Sequence, residues 1–233
     1  MKKSSILVDV VIPAFNEQNA IGKVLKDIPA KWVRRVIVCD NNSSDKTARI
    51  AQKMGAIVVS EPRPGYGYAC LKCLKYIAES DLPKPDIVVF LDADYSDYPQ
   101  QMDRLIKPLI EEDIDLVIGS RALGEREAGS MTPQQVFGNW IATRLIHWIY
   151  GYRFTDLGPF RAIKYSCLLS MNMSDKTYGW TVEMQVKAAK MKLNCLEMPV
   201  DYKKRIGISK VSGTVRGTLG AGWKILYTIY KYR

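Results

Sequence analysis

Ile87-Val88-Val89-Phe90-Leu91-Asp92-Ala93-Asp94 runs five apolar residues straight into two carboxylates. A short run rich in β-branched and aromatic side chains, with no polar alternation, reads as a strand buried on both faces. Two carboxylates at i and i+2 fall where that strand ends, and a turn there can bring both toward one cation. Hard divalent ions such as Mg²⁺ or Mn²⁺ take oxygen ligands and keep phosphate oxygens in their shell. A D-x-D tripeptide alone also suits a solvated loop that caps a following helix, so its surroundings have to decide.

Working outward, the first half alternates short apolar runs with amphipathic segments. Ile6 to Ile12 reads as a strand closed by Pro13, with Asn16 as the cap of a helix whose apolar face is Ile21, Val24, Leu25 and Ile28. Val36-Ile37-Val38-Cys39 is a second strand, followed by the polar cluster Asp40 to Asp45, in which Asp45 suits a helix cap. A helix to about Met54 stops at Gly55, Ala56 to Val59 is a strand, Tyr68 to Ala78 a helix, and Asp115 to Ile118 another strand. Strand-helix repetition with short links predicts an α/β fold, a mostly parallel central sheet flanked by helices. Ligands then bind beyond the carboxyl ends of the strands, which gathers Pro13 to Glu17, Asp40 to Asp45 and Asp92 to Asp97 along one edge. Further on, Gln134 to Tyr152 and Trp180 to Lys190 read as helices and Leu193 to Val200 as a strand. The chain divides into halves at 1–125 and 126–233, expected to pack as one compact unit.

Lys and Arg number 34 against 24 Asp and Glu, a formal net charge of +10. That excess favours an anionic partner: nucleic acid, lipid headgroups or phosphorylated substrates. Residues 203–233 carry eight basic side chains and no acidic ones. The five cysteines form no second C-x-x-C pair and His147 is the sole histidine, so a zinc site is not expected. Cys70, Cys73, Leu74 and Ile77 share helical spacing and read as a buried face. An odd cysteine count with no signal-peptide core points to reduced thiols in a cytosol-facing compartment. No stretch reaches the roughly 18 uncharged apolar residues of a spanning helix, so the chain is expected to be soluble or peripherally attached.

Val11-Ile12-Pro13-Ala14-Phe15-Asn16-Glu17, Val38 to Thr47 and Phe90-Leu91-Asp92-Ala93-Asp94 together resemble, in order and spacing, the signatures of family-two glycosyltransferases of the GT-A fold. Asp156-Leu157-Gly158-Pro159-Phe160-Arg161-Ala162, Gly119-Ser120-Arg121 and Tyr202 to Lys210 are similar to segments of polyprenyl-phosphate sugar synthases, of which the dolichyl-phosphate mannose and glucose synthases are the best known. Several of those relatives continue into membrane-spanning helices; this sequence ends at Arg233.

The resemblance implies a nucleotide-sugar donor, UDP-hexose ahead of GDP-mannose, and a polyprenyl (dolichyl) phosphate acceptor. Pro13, Ala14, Glu17 and Asp40 would line the nucleoside pocket. Asp92 and Asp94 would hold Mg²⁺ or Mn²⁺, Asp94 more directly. Arg205, Ser209 and Lys210 would clasp the phosphates, with Gly207 and Gly213 letting that loop close. Arg121, Arg161 and Lys204 are candidates for holding the acceptor phosphate, with structural ion pairs as the other reading of the two arginines. Glu183, at a helix start, would be the base for a hydroxyl acceptor; with a phosphate acceptor it would position Arg205 or the donor sugar instead. Arg63-Pro64-Gly65-Tyr66-Gly67 suits either a phosphate contact through backbone N–H groups or a plain tight turn. Phe137, Trp140, Ile141, Ile146, Trp148, Ile149 and Tyr150, with Trp223 to Tyr232, suit either core helices between the halves or a membrane surface at its cytosolic face, where an anchoring partner protein has a place. Two alternatives stand beside this reading: a saccharide or small-molecule hydroxyl acceptor, and a basic nucleic-acid-binding protein, which leaves the aspartate clusters unexplained.

Overall fold

The structure is a computed structural model that describes residues 6–207 and 215–233. Among these residues seven strands form one sheet in the order β3-β2-β1-β4-β6-β5-β7. The strands are β1 (Val8–Ala14), β2 (Arg35–Asp40), β3 (Ile57–Ser60), β4 (Ile87–Phe90), β5 (Leu116–Ser120), β6 (Arg161–Lys164) and β7 (Cys195–Pro199). β6 alone runs against its neighbours, pairing antiparallel with both β4 and β5. The sheet is therefore mostly parallel, as expected, and residues on both sides of position 125 build it.

Among the described residues eight α-helices cover the sheet: α1 (Ile21–Asp27), α2 (Thr47–Lys53), α3 (Tyr66–Glu79), α4 (Met102–Glu111), α5 (Pro133–Tyr150), α6 (Tyr165–Met171), α7 (Trp180–Lys190) and α8 (Val215–Lys231). Period-two alternation divides the core. Val11, Val88 and Phe90 face α3, α5 and α7, while Val10, Ile12, Val89 and Leu91 face α1 and α4. Burial on both faces is why β1 and β4 read as continuous apolar runs. Asp9, the one charge inside the first run, is fully buried and answered by Arg34 and Arg35 at 2.8 and 2.9 Å.

Local chemistry fixes several boundaries. Thr132 and Gln135 form a capping box at the start of α5, Pro133 takes the first position, and Gly151, at φ 73°, ends it. Cys70, Cys73 and Ile77 lie on the buried face of α3, as their spacing predicts, and all five cysteines are free thiols.

Asn16 corrects the sequence reading. It caps no helix: α1 begins at Ile21 with no side-chain cap. Asn16 instead adopts φ 53° and ties two loops together, accepting from Ser44 N at 2.8 Å and donating its backbone N–H to Ser43 Oγ at 3.0 Å. Asp45 stands one residue before the cap position of α2, which is Lys46 with no side-chain cap, and accepts the Thr47 N–H at 2.9 Å. β6 and α6 carry no clear periodic signature and are additions made by the structure.

Candidate active site

A cleft of about 700 Å³ opens at the carboxyl ends of β1, β2 and β4, where the sheet rule places a ligand. Its floor comes from Pro13, Ala14, Phe15 and Glu17 after β1, Asn41 after β2, Pro64 to Tyr66 before α3, and Asp92 to Asp94 after β4. Its far wall comes from Gln134, Gln135, Gly138 and Asn139 of α5, from Trp180 and Thr181 at the start of α7, and from Gly222 and Ile225 of α8.

The two aspartates are held so that one oxygen of each is already committed. Asp94, only 5% exposed, accepts the Ser96 N–H and hydroxyl on Oδ1 at 2.9 and 2.5 Å. Asp92 accepts the Tyr66 hydroxyl on Oδ1 at 3.0 Å. Burial and the adjacent Asp94 charge push the Asp92 carboxyl up to about 7. Two crowded carboxylates with their Oδ2 atoms unclaimed by these bonds suit a hard divalent cation, whose other positions a diphosphate and water can fill. Among the described residues no third His, Cys, Asp or Glu joins them as a metal-binding group.

Arg205 enters from the segment after β7. Its Nη2 lies 3.0 Å from Asp94 Oδ2 and 3.2 Å from Glu17 Oε1. Arg121, just beyond β5, lines the cleft and donates Nε and Nη2 to Asp156 at 2.7 and 2.8 Å, while its guanidinium lies 5.0 Å from the Tyr202 ring centroid. Burial raises the Asp156 carboxyl, but the Arg121 charge and hydrogen bonds more than offset this and hold it below its ordinary range. Gly158 explains how these segments meet: a Cβ there would lie 2.5 Å from Gly119 O, so Gly119-Ser120-Arg121 and Asp156-Leu157-Gly158 cross only with glycine at 158.

Other expected residues are placed elsewhere. Asp40 does not line the cleft; its Oδ1 accepts the Ser43 N–H at 3.3 Å. Arg161 is fully buried and spends its guanidinium on the carbonyls of Leu157, Gly158 and Thr181, so it braces the turn below the cleft and presents no free fork to an acceptor. Lys204 is exposed on the rim, 3.7 Å from Glu127. Glu183 is fully buried, and its carboxylate accepts from the backbone N–H groups of Ser174 and Asp175, the Ser174 and Tyr232 hydroxyls and the Lys187 ammonium. Its carboxylate ties α7 to the preceding loop and to Tyr232 just past α8, and it is not among the residues that line the cleft. The Gly67 and Tyr68 N–H groups donate to Thr177 O and Lys176 O, which leaves the tight-turn reading of that segment. Ser209, Lys210 and Gly213 lie outside the described residues.

Three cleft residues escaped the sequence reading. Asn41 fixes the donor-side loop, donating to Glu61 O and Arg63 O and accepting from Gly65 N at 2.7 to 2.9 Å. Tyr66 orients Asp92. Trp180, 1% exposed, forms part of the far wall with its ring centroid 5.9 Å from that of Phe90. Asn41 and Tyr66 carried a signal, their places inside the second signature and inside the Arg63 to Gly67 segment.

Asp97 sits just past the pair, buried at 2% exposure with neither carboxyl oxygen hydrogen-bonded. Burial and the charges of Asp92 and Asp94 hold its carboxyl well above the ordinary range. The folded chain therefore keeps a proton on Asp97 that the unfolded chain loses above about pH 4, and the cost to stability grows with pH above that point. Urea unfolding of Asp97→Asn, which cannot ionise, is expected to gain stability relative to the native protein between about pH 4 and pH 8. A difference that does not change with pH would mean that Asp97 ionises normally.

The family profile of glycosyl transferase family 2 matches residues 9–170. An uncharacterised glycosyltransferase of Mycobacterium tuberculosis is 35% identical over 230 residues, covering 94% of this chain and 97% of its own. A dolichyl-phosphate hexose transferase of Haloferax volcanii is 31% identical over 205 residues, covering 87% and 85% of the two chains. The glucosyl-3-phosphoglycerate synthase of M. tuberculosis, solved with Mn²⁺, UDP and phosphoglyceric acid, superposes with a TM-score of 0.76 at 22% identity over 99% of this chain and 79% of that one. The fold is GT-A, and the chain belongs to glycosyl transferase family 2. It is an enzyme, a glycosyltransferase.

Proposed function

We propose that this glycosyltransferase moves a hexose from a nucleotide sugar, UDP-hexose ahead of GDP-mannose, to a polyprenyl phosphate at the cytosolic face of a membrane, with inversion. Pro13, Ala14 and Glu17 lie on the nucleoside side of the cleft, and Asp92 and Asp94 hold Mg²⁺ or Mn²⁺. When bound, that ion neutralises the donor diphosphate and the charge that develops on the leaving nucleotide. Tyr66 keeps Asp92 oriented, and Arg205 supplies a planar fork to the diphosphate. Arg121, held rigid by Asp156, faces the acceptor.

The observation that carries this reading is the state of the acids in the cleft. Glu17, Asp92 and Asp94 line it, and each is engaged by Arg205 or Tyr66, while Glu183 is enclosed elsewhere. A hydroxyl acceptor needs a base to take its proton. A phosphate monoester is already anionic and needs only positioning and charge screening. This disfavours the saccharide-acceptor alternative in which Glu183 is the base.

A lipid acceptor also accounts for two exposed aromatic stripes. Phe137, Trp140 and Trp148 of α5 and Trp223, Tyr227 and Tyr230 of α8 recur at helical spacing, and Trp148 and Trp223 are 82% and 72% exposed. Arg144 and Lys224 lie against Trp140 and Tyr227, the pairing of ring and cation that suits a headgroup zone. The same two helices wall the cleft. Among the described residues no helix is long and apolar enough to cross a membrane, so the attachment proposed is peripheral, with room for an anchoring partner. The dolichyl-phosphate transferase names among the relatives support the acceptor class.

The test is a donor panel with a short polyprenyl phosphate, with and without Mg²⁺ or Mn²⁺, and with 3-phosphoglycerate as a soluble acceptor arm. A metal-dependent glycolipid is expected; its absence with every donor overturns the lipid reading. Arg205→Ala is expected to lower kcat/KM for the donor more than tenfold, the loss of one charge-assisted phosphate contact of about 1.5–3 kcal/mol. Unchanged kinetics would remove Arg205 from the diphosphate.

A further inference from the structure

Asp94 offers one oxygen to any cation. Oδ1 is held by the Ser96 N–H and hydroxyl at 2.9 and 2.5 Å, which leaves Oδ2. That oxygen is the one Arg205 Nη2 contacts at 3.0 Å, while the same nitrogen reaches Glu17 Oε1 at 3.2 Å. The backbone beneath is anchored: Ile206 N donates to Asp94 O and Lys203 N to Ser96 O, both at 2.9 Å. The guanidinium can therefore change partners by side-chain rotation while its Cα stays beside the aspartates. Its Nε–H is buried and has no hydrogen-bond partner, so this seat leaves the fork incompletely used.

We infer that Arg205, seated on Asp94 Oδ2 with Glu17 as its second anion, competes with the divalent ion for that one carboxylate oxygen until a nucleoside diphosphate draws the arginine away. The inference rests on the metal site proposed above. Two cations cannot share Oδ2 at ligand distance without mutual repulsion. A metal alone must displace Arg205 from Asp94 and leaves it Glu17 as its one remaining anion at this seat. A metal arriving with a diphosphate gives the guanidinium a new bidentate anion. Metal and nucleotide then strengthen one another's binding, and linkage makes the coupling factor the same in both directions. The metal-binding half-site is thereby kept weak for the free ion and strong for the ion–donor pair.

The experiment is Mn²⁺ titration by calorimetry of the whole chain, native and Arg205→Gln, each without nucleotide and with saturating UDP or GDP in separate arms. In the native protein, nucleotide is expected to tighten Mn²⁺ about tenfold or more. Arg205→Gln is expected to bind Mn²⁺ alone severalfold tighter than the native protein, and to lose that advantage, or reverse it, once nucleotide is present. This change of sign separates the exchange from simple charge removal, which would shift Mn²⁺ affinity alike in both states. A like shift in both, or no gain in the variant alone, overturns the exchange while leaving the metal site standing. No Mn²⁺ binding in any arm overturns the exchange together with the metal site. Arg205→Ala, with thermal melts of both variants, guards against a folding defect in either one.

Discussion

Asp94→Asn is expected to lower metal-dependent transfer by roughly 10³-fold while the protein still folds. The metal's charge stabilisation is worth several kcal/mol, and each 1.4 kcal/mol is tenfold in rate. The amide oxygen can still accept from Ser96, so the turn from 94 to 96 survives. What folding loses is the ion pair to Arg205, whose side chain is 31% exposed; such a pair contributes about 1 kcal/mol at most, a few degrees in Tm for a chain of this size. Asp94→Ala removes the turn's acceptor as well and is the poorer probe. Steady-state rates with and without Mn²⁺, beside a thermal melt, decide the matter. A folded Asp94→Asn that keeps its metal-dependent rate would remove this aspartate from the metal site, and a collapse of stability would make it a structural cap.

The second large effect is on stability. Arg121→Ala is expected to cost about 3 kcal/mol, because it leaves the Asp156 carboxylate, 1% exposed, without its cation. At 2–4 °C per kcal/mol, Tm falls by roughly 10 °C. Transfer falls too, since Arg121 lines the cleft, but that loss is confounded by unfolding. The double variant Arg121→Met with Asp156→Leu separates the two: replacing both partners with apolar groups removes the stranded charge, so stability returns in part while transfer does not. Full recovery of transfer in the double variant would show that Arg121 only braces the fold. An unchanged melt in Arg121→Ala would show that the Asp156 charge finds another partner.

The most legible parts of the chain were those whose physics is local. β4 and Asp92-Ala93-Asp94 are legible because burial on both faces leaves an unbroken apolar run and the charges mark its end. α5 was legible as an apolar and aromatic run from Gln134 to Tyr152, but its ends are set by the Thr132–Gln135 capping box and the left-handed Gly151, which that run hides. Misreadings came where a side chain's partners are remote in sequence. Glu183 looks like a helix-start acid, yet its carboxylate is claimed partly by Tyr232, 49 positions away. Arg161 looks like a phosphate ligand, yet the sheet closes over it and its bonds go to carbonyls. Asn16 resembles a cap, but a left-handed backbone points it at the neighbouring loop. Tyr66 could be valued only once α3 was seen to begin beside the end of β4. β6 has four residues, too few for periodicity to register, and its reversed direction answers to the pairing of its neighbours more than to its own composition.

That reversed strand also bears on how such enzymes diversify. The chain leaves the sheet after Ser120 on β5 and returns at Arg161 on β6, the strand alongside, where Ile118 and Arg161 are paired. Everything between is an excursion that starts and finishes at almost one point of the scaffold, and it contains α5 with its outward aromatic stripe and the Asp156 that steadies Arg121. An exchangeable cassette has this geometry: its ends meet, and the strands that carry the donor loops do not pass through it. With the acceptor on the side proposed above, transplanting residues 121–160 between family members is expected to change what receives the sugar while leaving the strands that carry Asp92 and Asp94 intact.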